Sequence, residues 1–307
     1  MQQRIAIVGG GIAAGLAARL LAPLGTITLI QPVNFVASSM PEIVPRQAFF
    51  EALALPQEAE WVAAIAPSAT QVIWRNGTET YEADLASTDD FLIYDKGRLA
   101  ARLLDSAPVF QRIQSDVAEI AEVEGFDRVF DCRGAKAVKA DPSYQYKKVS
   151  PARTACRYVV ASTQLAANDR VMHFWSETTV SGKKRTFFQI PLGGNRVSLG
   201  CSCIPDDLIS SANLYATAAK EGWALSIDSV MFSGVVVPQP CEMTCVLTHV
   251  TPLGDADALS CPLGEYGTLK TLSQIITIVG GKPLAAASLQ RPLNGEVDPH
   301  MPQELFS

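Results

Sequence analysis

Three consecutive glycines stand at positions 9–11, directly after a short apolar run from Ile5 to Val8. The alanine- and leucine-rich segment that follows, Ile12 to Leu21, has the pattern of a helix. In the spacing Gly9-x-Gly11-x-x-Ala14, the first glycine permits a tight turn and the second lets backbone N–H groups approach a pyrophosphate. The start of the helix then faces the anion, so the spacing predicts a dinucleotide site. The residues expected to form it are Gly9, Gly11, Ile12, Ala13 and Ala14.

Gln31 follows a second buried strand expected from Thr26 to Ile30. In a dinucleotide fold this position, about twenty residues beyond the glycine turn, usually holds an acidic side chain that binds the adenosine ribose. A glutamine can bond a hydroxyl only without the help of charge, so we expect a weaker contact from Gln31. Two other interpretations of the segment are a secretion signal beginning at Arg4 and a small-residue turn without a ligand. The glycines interrupt the apolar run and disfavour the signal.

A second glycine motif begins at Gly254-Asp255 and continues as Pro262-x-Gly264-x-x-Gly267, at the start of an expected helix. It resembles the flavin-binding segment of the aromatic-ring hydroxylases, which are class A flavoprotein monooxygenases of the p-hydroxybenzoate hydroxylase type. An aspartate can accept from ribityl hydroxyls, and a helix start aims N–H groups at the flavin edge that becomes negative on reduction. The resemblance therefore implies FAD as the cofactor. It assigns to FAD the residues Gly254, Asp255, Pro262, Gly264, Glu265, Tyr266 and Gly267. A surface turn before an ordinary helix is the alternative.

Two further segments resemble the same family. Asp131, Cys132 and Gly134 occupy the places of the "DCSG" stretch with which the dinucleotide sheet of these flavoproteins ends. A helix expected after Tyr94 resembles the family helix that begins D-R-x-x-L, with Lys96 in the place of the arginine. The resemblance thus adds Lys96 and Gly134 to the expected FAD contacts, and an ordinary amphipathic helix is the alternative.

The segment from Ser39 resembles the G-E-x-T-I-P loop of the tryptophan-halogenase-like branch, through Glu42, Val44 and Pro45. The halogenase motif W-x-W-x-I-P has become residues 186–191, which keep only the Ile-Pro pair. The essential lysine of that branch aligns with Gln71, and an amide cannot replace the amine that hypohalous acid needs. Halogenation is therefore not the expected activity of this halogenase-like chain.

The composition limits the classes of ligand. The 307 residues are 48% hydrophobic and 18% charged, with a formal charge of −6, which indicates a globular, cytoplasmic protein without a nucleic-acid or membrane partner. Seven cysteines and three histidines show no metal-ligand spacing and leave little material for a catalytic triad, so no metal site is expected.

The order of elements predicts an α/β fold, with a Rossmann-like FAD-binding domain and an inserted, mostly antiparallel β-sheet domain that binds substrate. We expect residues 1–138 and 248–290 to form the first domain, 139–247 the second, and 291–307 an exposed tail. Strands of the inserted sheet are expected near residues 157–162, 170–175, 186–192, 196–201, 227–237 and 242–250, with a helix near 208–221.

Aromatic side chains of the inserted sheet could surround a planar substrate. The candidates are Trp175, Phe187 and Phe188, and the alternative for each is a place in the core. His173 could act as a base on a phenol or an indole N–H, or could be a hydrogen-bonded histidine without a catalytic role. Glu42 and Pro191 are further catalytic candidates, and the sequence alone identifies no catalytic residue.

The implied function is an FAD-dependent monooxygenase that hydroxylates or oxidises a small aromatic or specialised metabolite through a flavin C4a-hydroperoxide. No second dinucleotide fingerprint for NAD(P)H is evident, so a partner flavin reductase is a candidate source of electrons, with NAD(P)H itself as the other. Two alternatives stay open. One is another flavin-dependent oxidoreductase, such as a dehydrogenase, reductase or halogenase-like tailoring enzyme, and the other is a flavin-binding protein without turnover.

Overall fold

The computed structural model describes residues 2–36, 39–53, 71–76, 78–84, 91–162, 171–193, 195–223, 229–259 and 266–289. A five-stranded parallel sheet organises the first part of the fold, in the order β16-β8-β1-β2-β7. Its strands are β1 (Gln3–Val8), β2 (Gly25–Gln31), β7 (Gln111–Gln114), β8 (Arg128–Asp131) and β16 (Val250–Pro252).

The central strand of this sheet is buried on both faces, as its continuous apolar run predicts. Ile5 and Ile7 pack into the large core formed with the helices, whereas Ala6 and Val8 pack into a smaller cluster on the other face.

The helices are α1 (Ile12–Leu20), α2 (Arg46–Leu53), α3 (Lys96–Ser106), α4 (Ala135–Ala140), α6 (Gly267–Ile278) and α7 (Ala286–Leu289).

A seven-stranded, mostly antiparallel sheet forms the second layer, in the order β14-β10-β13-β12-β11-β4-β5. The strands are β4 (Gln71–Asn76), β5 (Glu79–Asp84), β10 (Ala155–Ser162), β11 (Val171–Thr178), β12 (Lys184–Gly193), β13 (Arg196–Cys203) and β14 (Val230–Val236). Helix α5 (Ser211–Lys220) covers one face of the sheet, through Leu214 and Ala218. The two sheets together confirm the expected α/β fold class.

Two departures from the expected elements concern residues that pair far along the chain. Strands β4 and β5 join the second sheet because β4 pairs with β11 in parallel, although residues 71–84 precede the expected insertion. The expected strand at 242–250 is two strands, β15 (Cys241–Cys245) and β16, separated by a turn in which Val250 N donates to Leu247 O. The expected domain limits stay a prediction.

Short strands complete the fold. β3 (Pro41–Pro45) pairs with β6 (Phe91–Asp95), and β15 pairs with β9 (Tyr144–Lys148) and β17 (Ala258–Leu259). In the part of the chain that the structure describes, no helix has the length and apolar character to cross a membrane.

Helices α1 and α3 pack closely at Gly15, because a Cβ atom at this position would lie only 2.8 Å from the Leu103 Cβ. We expect Gly15→Val to lower the free energy of unfolding by about 1–3 kcal/mol, since the added side chain must push the two helices apart. Urea denaturation measures this difference, and Ala212→Val on the exposed side of α5 is the matched control. An equal loss in both variants would contradict the close packing at Gly15.

Candidate functional site

A cavity of about 660 Å³ lies across the carboxyl ends of the parallel strands. Each strand contributes the residues that directly follow it, so the wall is built in the order of the sheet. These residues are 115–117 after β7, Pro32 and Phe35 after β2, 9–13 after β1, 132–134 after β8, and 253–255 after β16. Four strand spacings of roughly 4.8 Å give the cavity a span of about 19 Å. The site therefore suits an extended ligand.

The three glycines after β1 are required for three different reasons. Gly9 has φ +138°, and a Cβ there would lie 2.5 Å from the Cys132 carbonyl oxygen. A Cβ at Gly10 would meet the Phe35 ring. Gly11 has the ordinary values φ −84° and ψ −170°, and no described atom lies within 4 Å of its Cβ position. Gly11 therefore leaves open space in the cavity rather than relieving a contact within the protein.

Several helices begin at this cavity. Asp95 caps the start of α3 and α4 is only six residues long, whereas α1 after Gly11 and α6 at Gly267 are longer and no described side chain caps either start. Gly254 lies between them, because a Cβ there would be 3.1 Å from the Ala13 Cβ and 3.1 Å from Thr271 Oγ1. A helix start carries unpaired N–H groups and a partial positive charge. The two glycine motifs are thus brought together, with both helix starts directed at one cavity.

Glu42 lies behind the cavity wall and joins β3, β6, α3 and α6. Its Oε2 accepts from Tyr94 Oη at 2.8 Å and Thr268 Oγ1 at 2.8 Å, and lies 3.2 Å from Lys96 Nζ. Burial alone would raise the pKa of the Glu42 carboxyl, but the Lys96 charge and these hydrogen bonds lower it below its ordinary value. Lys96 and Thr268 line the cavity, so the Glu42 carboxylate fixes two of its polar groups.

Asp255 is the acidic group of the cavity beside the start of α6. Desolvation by the surrounding protein raises the pKa of the Asp255 carboxyl, Lys96 opposes the rise, and Glu42 adds to it. The side chain is exposed on its cavity side, which limits the effect of burial. A carboxylate in this position can accept hydrogen bonds from hydroxyls of a ligand.

Arg133 also lines the cavity, but protein oxygens hold its guanidinium. It pairs with Asp131 at 2.7 Å and Asp141 at 2.5 Å, and it donates to the carbonyl oxygens of Val117 and Ala118. Burial would lower the pKa of Arg133, but the two aspartates raise it above its ordinary value. The guanidinium therefore fixes the backbone at the β7 end of the cavity.

Nine of the residues expected to bind the cofactor line this cavity: Gly9, Gly11, Ile12, Ala13, Lys96, Gly134, Gly254, Asp255 and Gly267. Ala14 does not, because it is fully buried where α1 packs on the sheet. Gln31 does not line it either, although its carbonyl accepts from Ser115 N. Tyr266 packs into the core at the start of α6. Pro262, Gly264 and Glu265 lie outside the described residues.

Trp175 and Phe187, which were expected to bind substrate, lie on the face of the second sheet that points away from the cavity. This corrects the expectation that they line the substrate pocket. Their rings stack at 4.8 Å in the core beneath α5, and Trp223 meets Trp175 edge-on at 4.3 Å. His173 lies on this face too, 5.0 Å from the Trp223 ring, where burial and Arg75 lower its pKa. Side chains alternate along a strand, so these three point away from the cavity.

Two other candidates lie near the cavity but do not line it. Phe188 lies on the face of the second sheet that carries Tyr158, where it packs against Tyr158 and Phe174. Pro191 is buried in β12. Neither residue is part of the cavity wall. Glu42 is likewise behind the wall, so its place is that of a positioning group.

Sequence reasoning missed Tyr158 and Phe232, the aromatic side chains that the second sheet presents to the cavity. Their ring centroids are 5.9 Å apart. Burial, with Cys156 and Asp95, raises the pKa of Tyr158 to about 12, so its hydroxyl stays protonated and can donate. The alternation of β10 could have identified Tyr158, but only with knowledge of which face α5 covers.

No protein-family model and no curated protein sequence matches the chain. Solved structures do match. The tryptophan 6-halogenase SttH from Streptomyces toxytricini has a TM-score of 0.68 at 13% identity, over 93% of this chain and 73% of that one. The 2-methyl-3-hydroxypyridine-5-carboxylic acid oxygenase has a TM-score of 0.68 at 12% identity, over 94% of this chain and 85% of that one. CtdE in complex with FAD has a TM-score of 0.64 at 13% identity, over 91% of this chain and 84% of that one. The chain has the fold that these proteins share, which confirms the fold expected from the resemblance.

We expect Glu42→Gln to lower the free energy of unfolding at neutral pH by about 1–3 kcal/mol, because an amide cannot serve Lys96, Thr268 and Tyr94 together. The folded-state pKa of Glu42 is lowered, so its stabilisation is complete above the unfolded-state pKa of about 4.3. It is lost as the pH falls through the folded-state value. Urea denaturation from neutral to acid pH checks whether the difference shrinks, with exposed Glu124→Gln as the control. A pH-independent difference would contradict this account.

Proposed function

We propose that the chain binds FAD in this cavity and, with the reduced cofactor, transfers one oxygen atom of O₂ to a small aromatic or specialised metabolite. The observation that carries the proposal is that the starts of α1 and α6, at Gly11 and at Gly267, meet on one elongated cavity and that no described side chain caps either of them. Two such starts separated along a cavity provide donors for a pyrophosphate and for a second electron-rich group. FAD carries both groups in one extended molecule.

The donor set and the shape of the cavity fit this cofactor. No described atom lies within 4 Å of the Cβ positions of Gly11, Gly134 and Gly267, so the described wall leaves room where backbone would approach a ligand. In the proposed arrangement the N–H groups after Gly11 bind the pyrophosphate, Asp255 accepts from ribityl hydroxyls, and the start of α6 binds the N1/O2 edge of the flavin. Pro262, Gly264 and Glu265 stay predicted contacts. The likeness to CtdE in complex with FAD supports the choice of cofactor.

Bound, reduced FAD would supply two electrons, so that one atom of O₂ enters the substrate and the other leaves as water. The chain's own residues would bind, align and exclude water. Tyr158 and Phe232 offer an aromatic surface to a planar substrate, and the Tyr158 hydroxyl can donate a hydrogen bond to it. Lys96, held by Glu42, places a positive charge in the wall of the same cavity.

Gly11→Val tests the cofactor site, because valine accepts the local backbone conformation and adds its side chain to open cavity space. We expect the variant to keep the stability of the wild type and to bind FAD roughly 5- to 150-fold more weakly, which corresponds to the usual 1–3 kcal/mol of overpacking. Fluorescence titration of the apoprotein measures the affinity, with Ala212→Val as the control. Unchanged FAD binding by Gly11→Val, or no FAD binding by the wild type, would contradict the proposed site.

Product mass tests the reaction. Purified protein, FAD, NADH or NADPH and O₂ are incubated with a panel of phenols and indoles, with and without an added flavin reductase, and we expect a product that has gained one oxygen. A requirement for the reductase would identify the electron source. A loss of two hydrogens or a gained halogen would instead indicate another flavin-dependent reaction. A fully occupied flavin that no substrate affects would indicate binding without turnover.

A further inference from the structure

Phe35 lies flat on the middle glycine of the turn. A Cβ atom built on Gly10 would be 2.5, 2.7 and 2.8 Å from three consecutive ring carbons, Cδ1, Cε1 and Cγ. Such similar distances to neighbouring ring atoms mean that the ring meets Gly10 with its face rather than with its edge. Any side chain at position 10 would displace the ring, so Gly10 keeps the aromatic plane against the turn.

Phe35 remains 41% exposed and belongs to the cavity wall. Because Gly10 covers one face, the surface that is left includes the opposite face. An aromatic face that borders a cavity is a surface on which a planar base can stack, and nucleobases stack on aromatic side chains in a way that tolerates the identity of the base. Burying this exposed ring under a ligand would also remove apolar area from water.

The position of Phe35 along the cavity identifies the part of the ligand it would meet. Phe35 follows β2, and its neighbours in the wall are Pro32 and residues 115–117, which follow the edge strand β7. The start of α6, with Asp255, lies beyond β1 and β8 at the other end of the strand order. A ligand whose flavin lies at α6 and whose pyrophosphate lies at α1 therefore reaches Phe35 with its third part, the adenosine.

The segment that carries Phe35 is held in place by its own contacts. Val33 N donates to Asp116 Oδ1 at 3.0 Å, and Phe35 N donates to Pro32 O at 3.3 Å. Asn34 takes the left-handed conformation, with φ +55°, which asparagine tolerates well. The ring is thus presented by an ordered turn, tied to the chain segment that follows β7.

We propose that Phe35 is the stacking platform for the adenine of FAD and makes the site select FAD over FMN. The inference rests on the proposed function and deepens it. Gln31, where an acidic ribose contact is usual, does not line the cavity, so recognition of the adenosine half falls to the ring and to the 115–117 segment.

Binding of three probes to the apoprotein tests this proposal. FAD, FMN and ADP are titrated into the wild type and Phe35→Ala, FAD and FMN by flavin fluorescence and ADP by calorimetry. We expect Phe35→Ala to weaken FAD and ADP by roughly 5- to 100-fold, the usual range for loss of one base–aromatic stack, and to leave FMN unchanged. Phe35→Trp should keep the affinity of the wild type for FAD, and Gly10→Ala should reproduce the selective loss by displacing the ring.

The neighbouring Val36 is 83% exposed, and Val36→Ala is the control that should change no affinity. An equal loss of FAD and FMN in Phe35→Ala would assign the ring to the structure of the loop and overturn the proposal. Unchanged or tighter FAD binding would overturn it as well, since the ring would then be idle or obstructive. If the wild type binds FAD and FMN with equal affinity, the proposed selectivity for FAD is wrong, while the proposed FAD site is unaffected. If the wild type binds neither flavin nor ADP, both the role of Phe35 and the proposed function are wrong.

Discussion

Backbone N–H groups that lack intrahelical partners at two helix starts are the constraint on which the rest of this structure depends. Each start leaves several backbone donors without intrahelical partners, and neither is capped by a described side chain. Gly254, with φ +62°, fits between the two helices and lets them meet at the same cavity. The sheet order then extends that cavity away from α6, across five strand ends. Shape and electrostatics together favour an anionic, elongated ligand over a compact one.

Two buried carboxylates connect the layers that surround the cavity. Glu42 joins the start of α3 to the start of α6 through Lys96 and Thr268. Asp95 caps α3, accepting from Gly97 N at 2.9 Å, and also accepts from Arg196 Nη1 at 2.8 Å on the second sheet. Removing one partner of such a buried pair leaves an uncompensated charge, which is more costly than losing a surface ion pair. The helices that begin at the cavity and the second sheet are therefore held in a fixed relation.

The features of the cavity that depend on the spacing of neighbouring residues could be predicted from the sequence. The turn at 9–11 joins a strand end to a helix start, and Gly254-Asp255 follows a strand end and precedes a glycine-rich helix start, so their location at one cavity could be inferred before the fold was known. Which face of β11 and β12 borders the cavity could not be inferred from the sequence. Side-chain alternation places Trp175 and Phe174 on opposite faces, but it does not show that α5 covers the face that carries Trp175. Pairing of β4 with β11 joins residues about a hundred positions apart, which no local pattern specifies. Phe35 is a single aromatic residue in a turn, and no pattern in the sequence distinguishes it. Only the structure shows that its ring packs against Gly10 at the cavity.

The central claim is that one FAD molecule spans both helix starts, and a crystal structure of the protein grown with FAD tests it most directly. The account predicts the pyrophosphate within hydrogen-bond distance of the N–H groups that follow Gly11, with the flavin ring beside Gly267 and Asp255 near the ribityl chain. Density for FAD outside the cavity, or a flavin ring at the Phe35 end with the adenine at α6, would contradict it.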